Sequence, residues 1–120
     1  MTVSEKADKD ELRVEIEREH FVRAALLAAS LGIGEEEIQD IRLKALRQIS
    51  AEYRNAPGTK SLAQQYGFSK QKVKNLLEKY AEEKRKEGND KVLAHCYDLS
   101  AGEYLSFEEW VDQLLKDWDK

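Results

Sequence analysis

Polar side chains on one predicted helix have the types and spacing needed to contact a nucleic-acid base edge. Gln71 and Asn75 project about 160° and about 200° away from the apolar Val73, so they lie one turn apart on the outward line. Lys72 and Lys74 flank that line, each about 100° from Val73. Gln and Asn can bond the N7 and N6 edge of adenine, and Lys contacts phosphate or guanine. A merely solvated lysine face is the alternative. The spacing predicts a DNA-contacting face of Lys70, Gln71, Lys72, Lys74 and Asn75.

No comparable set of reactive side chains is found elsewhere in the sequence. There is no Gly-rich phosphate loop, no Ser/His/Asp set and no isolated carboxylate pair, so no enzyme activity is predicted. One cysteine and two histidines exclude an internal disulfide framework and a Cys/His metal cluster. No metal and no cofactor is therefore expected. Cys96 lies among apolar residues without a partner set for catalysis, and we expect a buried structural thiol.

Charge is distributed unevenly along the 120 residues, although the net charge is only −4. Residues 1–41 carry five Lys/Arg against eleven Asp/Glu, and residues 92–120 carry two against seven. The middle, residues 42–91, carries thirteen against six. A basic middle between acidic arms suggests a polyanionic partner for the middle. No apolar run approaches the roughly 18–20 residues of a membrane span, and no leader segment is visible, so a cytoplasmic location is expected.

Helical spacing and capping signals predict the elements that position these side chains. The predicted helices cover residues 8–34, 35–54, 60–66, 70–88 and 106–118. Residues 89–105 fit either a short helix, which is preferred, or a two-stranded wing. We therefore expect a compact all-α domain of five or six helices over residues 1–120. Its parts are an N-terminal helix (8–34), a core (35–88) and an acidic C-terminal arm (89–120).

Residues 59–80 read TKSLAQQYGFSKQKVKNLLEKY and contain a turn with a specific residue pattern. A small residue lets two helices cross closely, Gly67 suits a left-handed turn, and Ser69 can cap the second helix. Phe68 fills the space between the helices, and two apolar residues pack the second helix on the core. The segment resembles the helix-turn-helix of bacterial and phage transcription regulators, although Val or Ile is commoner than Phe in the turn. The matching positions are Ala63, Gly67, Phe68, Ser69, Val73 and Leu76.

This resemblance covers about 22 of the 120 residues. It implies sequence-specific binding of double-stranded DNA in the manner of a transcription regulator. An ordinary corner between two helices, or a motif used for protein contact, is the alternative. A third interpretation is a structural component of a phage or plasmid assembly.

The acidic C-terminal helix has an aromatic face that admits two interpretations. Either the face closes the core of its own domain, or it docks on a partner, including a second copy of the chain. A single recognition helix buries little surface, so a homodimer is expected. Its interface would use the outer face of the N-terminal helix or the aromatic face of the C-terminal one. The candidate residues on the latter are Trp110, Val111, Leu114 and Trp118.

Overall fold

The computed structural model describes the backbone of residues 2–99 and 101–119, and the side chains from residue 9 onward in those ranges. The α-helices are α1 (Thr2–Glu17), α2 (Phe21–Ser30), α3 (Glu35–Arg47), α4 (Ala56–Tyr66), α5 (Lys70–Lys86) and α6 (Phe107–Lys116). Shorter elements are a π-helical segment (Gln48–Glu52), a 3-10 turn (Asp90–Leu93), and the strands β1 (Cys96–Asp98) and β2 (Glu103–Leu105). The predicted all-α class is confirmed. The chain forms two compact units, residues 1–46 and 47–120, where a single domain was expected.

The single helix predicted over residues 8–34 is wrong, because the structure has two helices in this part of the chain. The first begins at Thr2 and ends at Glu17, and the second begins at Phe21. Between them Glu19 takes a left-handed backbone with φ of 61°. The His20 N–H then donates to the Glu15 carbonyl across 2.9 Å, a Schellman-type helix end. Glycine usually occupies that left-handed position, so the sequence carried no signal of the break.

The helix predicted over residues 35–54 keeps its start but changes character at its end. Three glutamates occupy its first turn, where the helix dipole favours negative charge. The last turn widens into the π-helical segment, in which the Tyr53 N–H donates to the Gln48 carbonyl at 3.0 Å. Asn55 then caps α4, accepting from the Gly58 N–H at 2.9 Å, and Pro57 sits in the first turn. Residues 55–58, expected only to break a helix, therefore also begin the next one.

In the C-terminal unit, α6 packs against α5 through aromatic side chains. The Phe107 ring lies 5.5 Å from Tyr80 of α5 and 6.3 Å from Trp110, measured between ring centroids. Ser106 and Glu109 form the predicted capping box: the Glu109 N–H donates to Ser106 Oγ at 3.2 Å, and the Ser106 N–H donates to Glu109 Oε1 at 2.8 Å. Hydrogen bonding of the Glu109 carboxylate by the Ser106 backbone N–H, and by the Ser106 side chain, holds the pKa of that carboxyl below its usual value.

Cys96–Asp98 and Glu103–Leu105 form the two strands of the wing, where a helix was preferred. The two strands are antiparallel, with Tyr97 opposite Tyr104 and Cys96 opposite Leu105. Of these four residues only Leu105 is buried, because β2 contacts α6. The other three are exposed, since a two-stranded hairpin has no further sheet or helix to cover them. The expectation of a buried thiol was therefore wrong, since Cys96 is exposed.

Arg54 joins the hairpin region to the end of the π-helical segment. Its guanidinium donates to the carbonyls of Leu105, Val92 and Ala94 at 3.0, 3.1 and 2.8 Å. It also lies 5.5 Å from the centroid of the Phe107 ring. The planar five-donor fork of arginine suits several carbonyls at once. One charge counted in the basic middle of the sequence is therefore used to hold the fold together.

Candidate nucleic-acid interface

The turn between α4 and α5 sets the position of the predicted DNA-contacting face. Gly67 ends α4 in a left-handed conformation with φ of 74°. The Phe68 N–H donates back to the Ala63 carbonyl at 2.8 Å, which closes the helix end. Ser69 then caps α5, its Oγ accepting from the Lys72 N–H at 3.1 Å. The turn therefore has the predicted local structure: Gly67 takes the left-handed conformation and Ser69 caps α5.

The apolar residues of this segment fasten both helices to the unit. Ala63 and Val73 are fully buried, and Phe68 is nearly so. Leu76 is half-buried. The Phe68 ring meets Tyr66 edge to face, with 5.9 Å between ring centroids. Because the inner side of α5 is held by these contacts, its outer side is left for solvent or a partner.

All five predicted contact residues are exposed on the first two turns of α5. Gln71 and Asn75 lie side by side, and Gln71 Nε2 donates to Asn75 Oδ1 at 2.9 Å. This hydrogen bond leaves Gln71 Oε1 as an acceptor and Asn75 Nδ2 as a donor. The structure therefore brings the two amides together as one exposed group.

The three lysines of this face have weak partners. Lys70 Nζ lies 3.5 Å from Asp119 Oδ2, and Lys74 Nζ lies 3.9 Å from Glu78 Oε1. Lys72 Nζ lies 4.8 Å from the centroid of the Phe68 ring. Surface ion pairs of this kind contribute about 0–1 kcal/mol, so a phosphate can displace them at little cost. Glu78 and Asp119 are the acidic groups that an approaching polyanion would meet here.

Positive charge is concentrated near this face rather than spread over the C-terminal unit. Residues 47–120 hold thirteen Lys/Arg and thirteen Asp/Glu, so the unit as a whole is neutral. Residues 56–81, which cover α4 and most of α5, hold five lysines and one glutamate. A local positive field on a neutral unit is what a footprint for a polyanion requires.

Sequence reasoning missed a polar face on α4. Ser61, Gln64 and Gln65 are all exposed, three and four residues apart, on the helix that precedes the turn. Their spacing was visible in the sequence and could have been used. They extend the set of hydrogen-bonding side chains beyond α5.

The predicted interface on the C-terminal helix is corrected by the structure. Trp110, Val111 and Leu114 are 2%, 8% and 5% exposed, so they belong to the core of the C-terminal unit. Trp118 lies beyond the end of α6 and is half-buried. An amphipathic pattern shows that one face of a helix is covered, but not whether its own chain or a partner covers it. Here α6 packs against α5 of its own chain.

Replacing Gly67 with Ala is expected to lower the free energy of unfolding by about 1–2 kcal/mol, because a side chain resists the left-handed conformation. An added Cβ would meet no atom within 4 Å, so the penalty is conformational only. Gly88→Ala is the matched control, since Gly88 has φ of 72° and equally open surroundings. Urea unfolding should give similar losses for both variants, while only Gly67→Ala should weaken binding of DNA. A loss of unfolding free energy near zero for Gly67→Ala would show that the turn does not need glycine at residue 67.

Within the part of the chain that the structure describes, no group of three or more His, Cys, Asp and Glu side chains is placed to hold a metal ion. None of the helices described is both long enough and apolar enough to cross a membrane. Comparison of the chain with protein-family models, with curated proteins and with solved structures gives no match. The function is therefore inferred from the geometry of α4, α5 and the turn between them.

Proposed function

We propose that the chain binds double-stranded DNA by placing the first two turns of α5 in the major groove. The observation that carries this proposal is the exposed amide pair Gln71–Asn75 between lysines, on a helix whose start is set by the Gly67 turn. The N-terminal turns of a helix are the part that reaches base edges in helix-turn-helix proteins. Binding in the manner of a transcription regulator, inside the cytoplasm, is the function we infer.

The amide pair has the hydrogen-bonding complement of adenine. Gln71 Oε1 can accept from the adenine N6 amine, while Asn75 Nδ2 can donate to N7. The internal hydrogen bond between the two side chains fixes the acceptor and the donor next to each other before DNA arrives. A preformed pair loses less side-chain entropy on binding than two independent amides. This arrangement favours base reading over simple attachment to phosphates.

Selection of bound duplexes from a random library, at two salt concentrations, tests the proposal directly. The intact chain should enrich a short motif, with an A·T pair at one or two positions. Gln71→Ala and Asn75→Ala should each relax preference there, by about 1–3 kcal/mol of discrimination per lost base contact. Gln113→Ala serves as the matched control, because it removes an exposed amide from α6, outside the proposed DNA-contacting face. No duplex binding at low salt would overturn the proposal, and equal loss on all sequences would overturn base reading by the pair.

A second copy of the chain is the expected partner, and α2 offers a surface for it now that the C-terminal aromatic face is buried. Val22 and Leu26, 39% and 63% exposed, lie one turn apart on α2. Arg23 lies near the start of α2 and three glutamates, Glu35–Glu37, follow its end. An antiparallel pairing of two α2 helices would therefore bring opposite charges together.

Leu26→Glu is expected to convert this dimer to monomer in sedimentation experiments, because a buried charge without a partner disfavours the interface. Leu99→Glu, which changes a still more exposed leucine on the hairpin, should leave the dimer intact. An intact chain that stays monomeric at tens of micromolar, with and without DNA, would refute dimerisation. A Leu26→Glu variant that remains dimeric would move the interface away from α2.

A further inference from the structure

A cavity in the C-terminal unit is not used by the proposed DNA-binding face. It has a volume of ≈ 780 Å³ and lies among the end of the π-helical segment, the second half of α5 and the hairpin. Small-molecule sites in proteins commonly have about 300–1,000 Å³. Residues that characterise its wall are Tyr53, Tyr80, Lys84, Lys91, Tyr97 and Trp110.

The aromatic residues give this cavity surfaces on which a flat ring can pack. Tyr53 is 68% exposed and Tyr97 is 53% exposed, so both rings are accessible to a ligand. Tyr97 meets Tyr104 across the hairpin, with 5.2 Å between ring centroids, so its ring is already oriented. Tyr80 and Trp110 are buried and form the inner part of the wall. Aromatic edges and faces of this kind favour an aromatic ligand.

Trp110 also carries an unused hydrogen-bond donor. Its Nε1 is buried, and none of the residues described accepts a hydrogen bond from it. Buried polar groups nearly always have a partner in the protein or in bound solvent. Trp110 lines this cavity and a smaller neighbouring one of ≈ 190 Å³, and both also border Pro57 and Asp98. An acceptor group brought in by a ligand would give this N–H its partner.

The charges around the cavity favour an anion. Arg54, Lys84 and Lys91 stand against Glu52 and Asp98 among the described residues that line it, a net charge of +1, and Arg54 already donates to three backbone carbonyls. Asp98 is engaged, because its Oδ2 accepts from the Ala101 N–H at 2.8 Å in the hairpin turn.

The two lysines differ in how they are held. Lys84 Nζ lies 5.5 Å from the centroid of the Tyr80 ring and 3.3 Å from Glu87 Oε2. Lys91 is exposed and has no ion pair with the residues that the structure describes. Lys91 can therefore turn toward a ligand without giving up a partner.

We propose that this cavity binds a small aromatic carboxylate. The ring would pack against the tyrosines, and the carboxylate would take the positive charge of Lys84 and Lys91. An oxygen of the ligand would accept the hydrogen bond that Trp110 Nε1 lacks. The inference does not depend on the proposed DNA binding, since it rests on another face of the unit.

Indole-3-acetate is a suitable probe, and its neutral amide, indole-3-acetamide, is the control for charge. The chain has two tryptophans, so its proton–nitrogen spectrum has two indole N–H signals, which Trp118→Phe assigns. The Trp110 signal should shift saturably on titration with the acid, and the amide should bind about tenfold more weakly, the lower limit for losing a hydrogen bond to a charged group.

Lysine variants locate the site without replacing any of its aromatic residues. Lys91→Gln and Lys84→Gln should each weaken binding of indole-3-acetate by about tenfold. Lys86→Gln is the matched control, because Lys86 is exposed on the same helix, pairs with Glu82 and does not line the cavity. A Trp110 signal that stays fixed to millimolar acid, an amide that binds as tightly as the acid, or an equal effect of Lys86→Gln would each overturn the proposal.

Discussion

Trp110→Ala is expected to lower the free energy of unfolding of the C-terminal unit by about 3–5 kcal/mol, the usual cost of removing a fully buried tryptophan. Trp110 is 2% exposed, and its ring lies beside Phe107, which in turn meets Tyr80 of α5. Removing the indole opens a cavity at the centre of the α5–α6 contact. Urea unfolding followed by far-ultraviolet circular dichroism measures the loss without depending on tryptophan fluorescence.

Two variants separate the volume of the side chain from its hydrogen-bonding group and from its helix. Trp110→Phe keeps a ring and removes an N–H that has no partner among the described residues, so it should be much less destabilising than Ala. Asp112→Ala changes an exposed residue of the same helix and should stay within about 0.5 kcal/mol of the parent. Equal losses for Ala at 110 and at 112 would show that α6 does not belong to the core.

Removal of the whole C-terminal helix tests the same assignment at a larger scale. A chain ending near Gly102 lacks β2 and α6, and with them Leu105, Phe107 and Trp110. The C-terminal unit should then unfold, because Tyr80 of α5 would lose its contact with Phe107 and α5 would lose the helix that packs against it. A truncated chain that keeps its helical signal and unfolds cooperatively would contradict this expectation.

The sequence predicted best those features that depend on a few adjacent residues. Ser106 and Ser69 each come directly before an amphipathic stretch, and a serine in that position predicts the start of a helix. Both serines cap a helix in the structure, Ser106 as part of a capping box with Glu109. The Gly67 turn was visible because few residues other than glycine take its backbone conformation. In each case the interacting groups lie within about four residues of one another in the sequence, so no tertiary contact was needed to predict them.

Features that depend on contacts distant in sequence could not be read in the same way. Arg54 belongs to the basic middle of the sequence, but the carbonyls of Val92, Ala94 and Leu105 use its donors. The strands of the hairpin have only three residues each, and the side-chain pattern of residues 89–105 favoured a short helix over them. The helix break at Glu19 could not be predicted, because the left-handed position is occupied by glutamate and not by glycine. The amphipathic pattern of α6 showed that one face must be covered, but not which surface covers it.

The candidate site shows the same division. Exposure of Gln71 and Asn75 followed from helical periodicity, because Val73 had to face inward. The hydrogen bond between the two amides was not predicted, although residues four apart on a helix are neighbours. The partners of Lys70 and Lys72 depend on the chain end after α6 and on the ring in the turn, and these emerge only from the folded structure.

Lys72→Ala combined with Lys74→Ala is expected to weaken binding of duplex DNA by about 50–100-fold at 0.1 M salt. Each phosphate contact contributes about 0.9 to the slope of log affinity against log salt, which is about tenfold at that concentration. The slope should therefore fall by about 1.8 in the double variant. Folding should be preserved, because both lysines are exposed and Ala is the stronger helix former.

Two comparisons decide whether this loss belongs to the face of α5 or to charge in general. Lys86→Ala removes an exposed positive charge from the last turn of the same helix, and it should leave both affinity and slope nearly unchanged. The Lys72 and Lys74 variants should weaken all sequences alike, in contrast to Gln71→Ala, because phosphates carry no sequence information. An unchanged salt slope in the double variant, or a similar loss from Lys86→Ala, would show that DNA does not bind at the first two turns of α5.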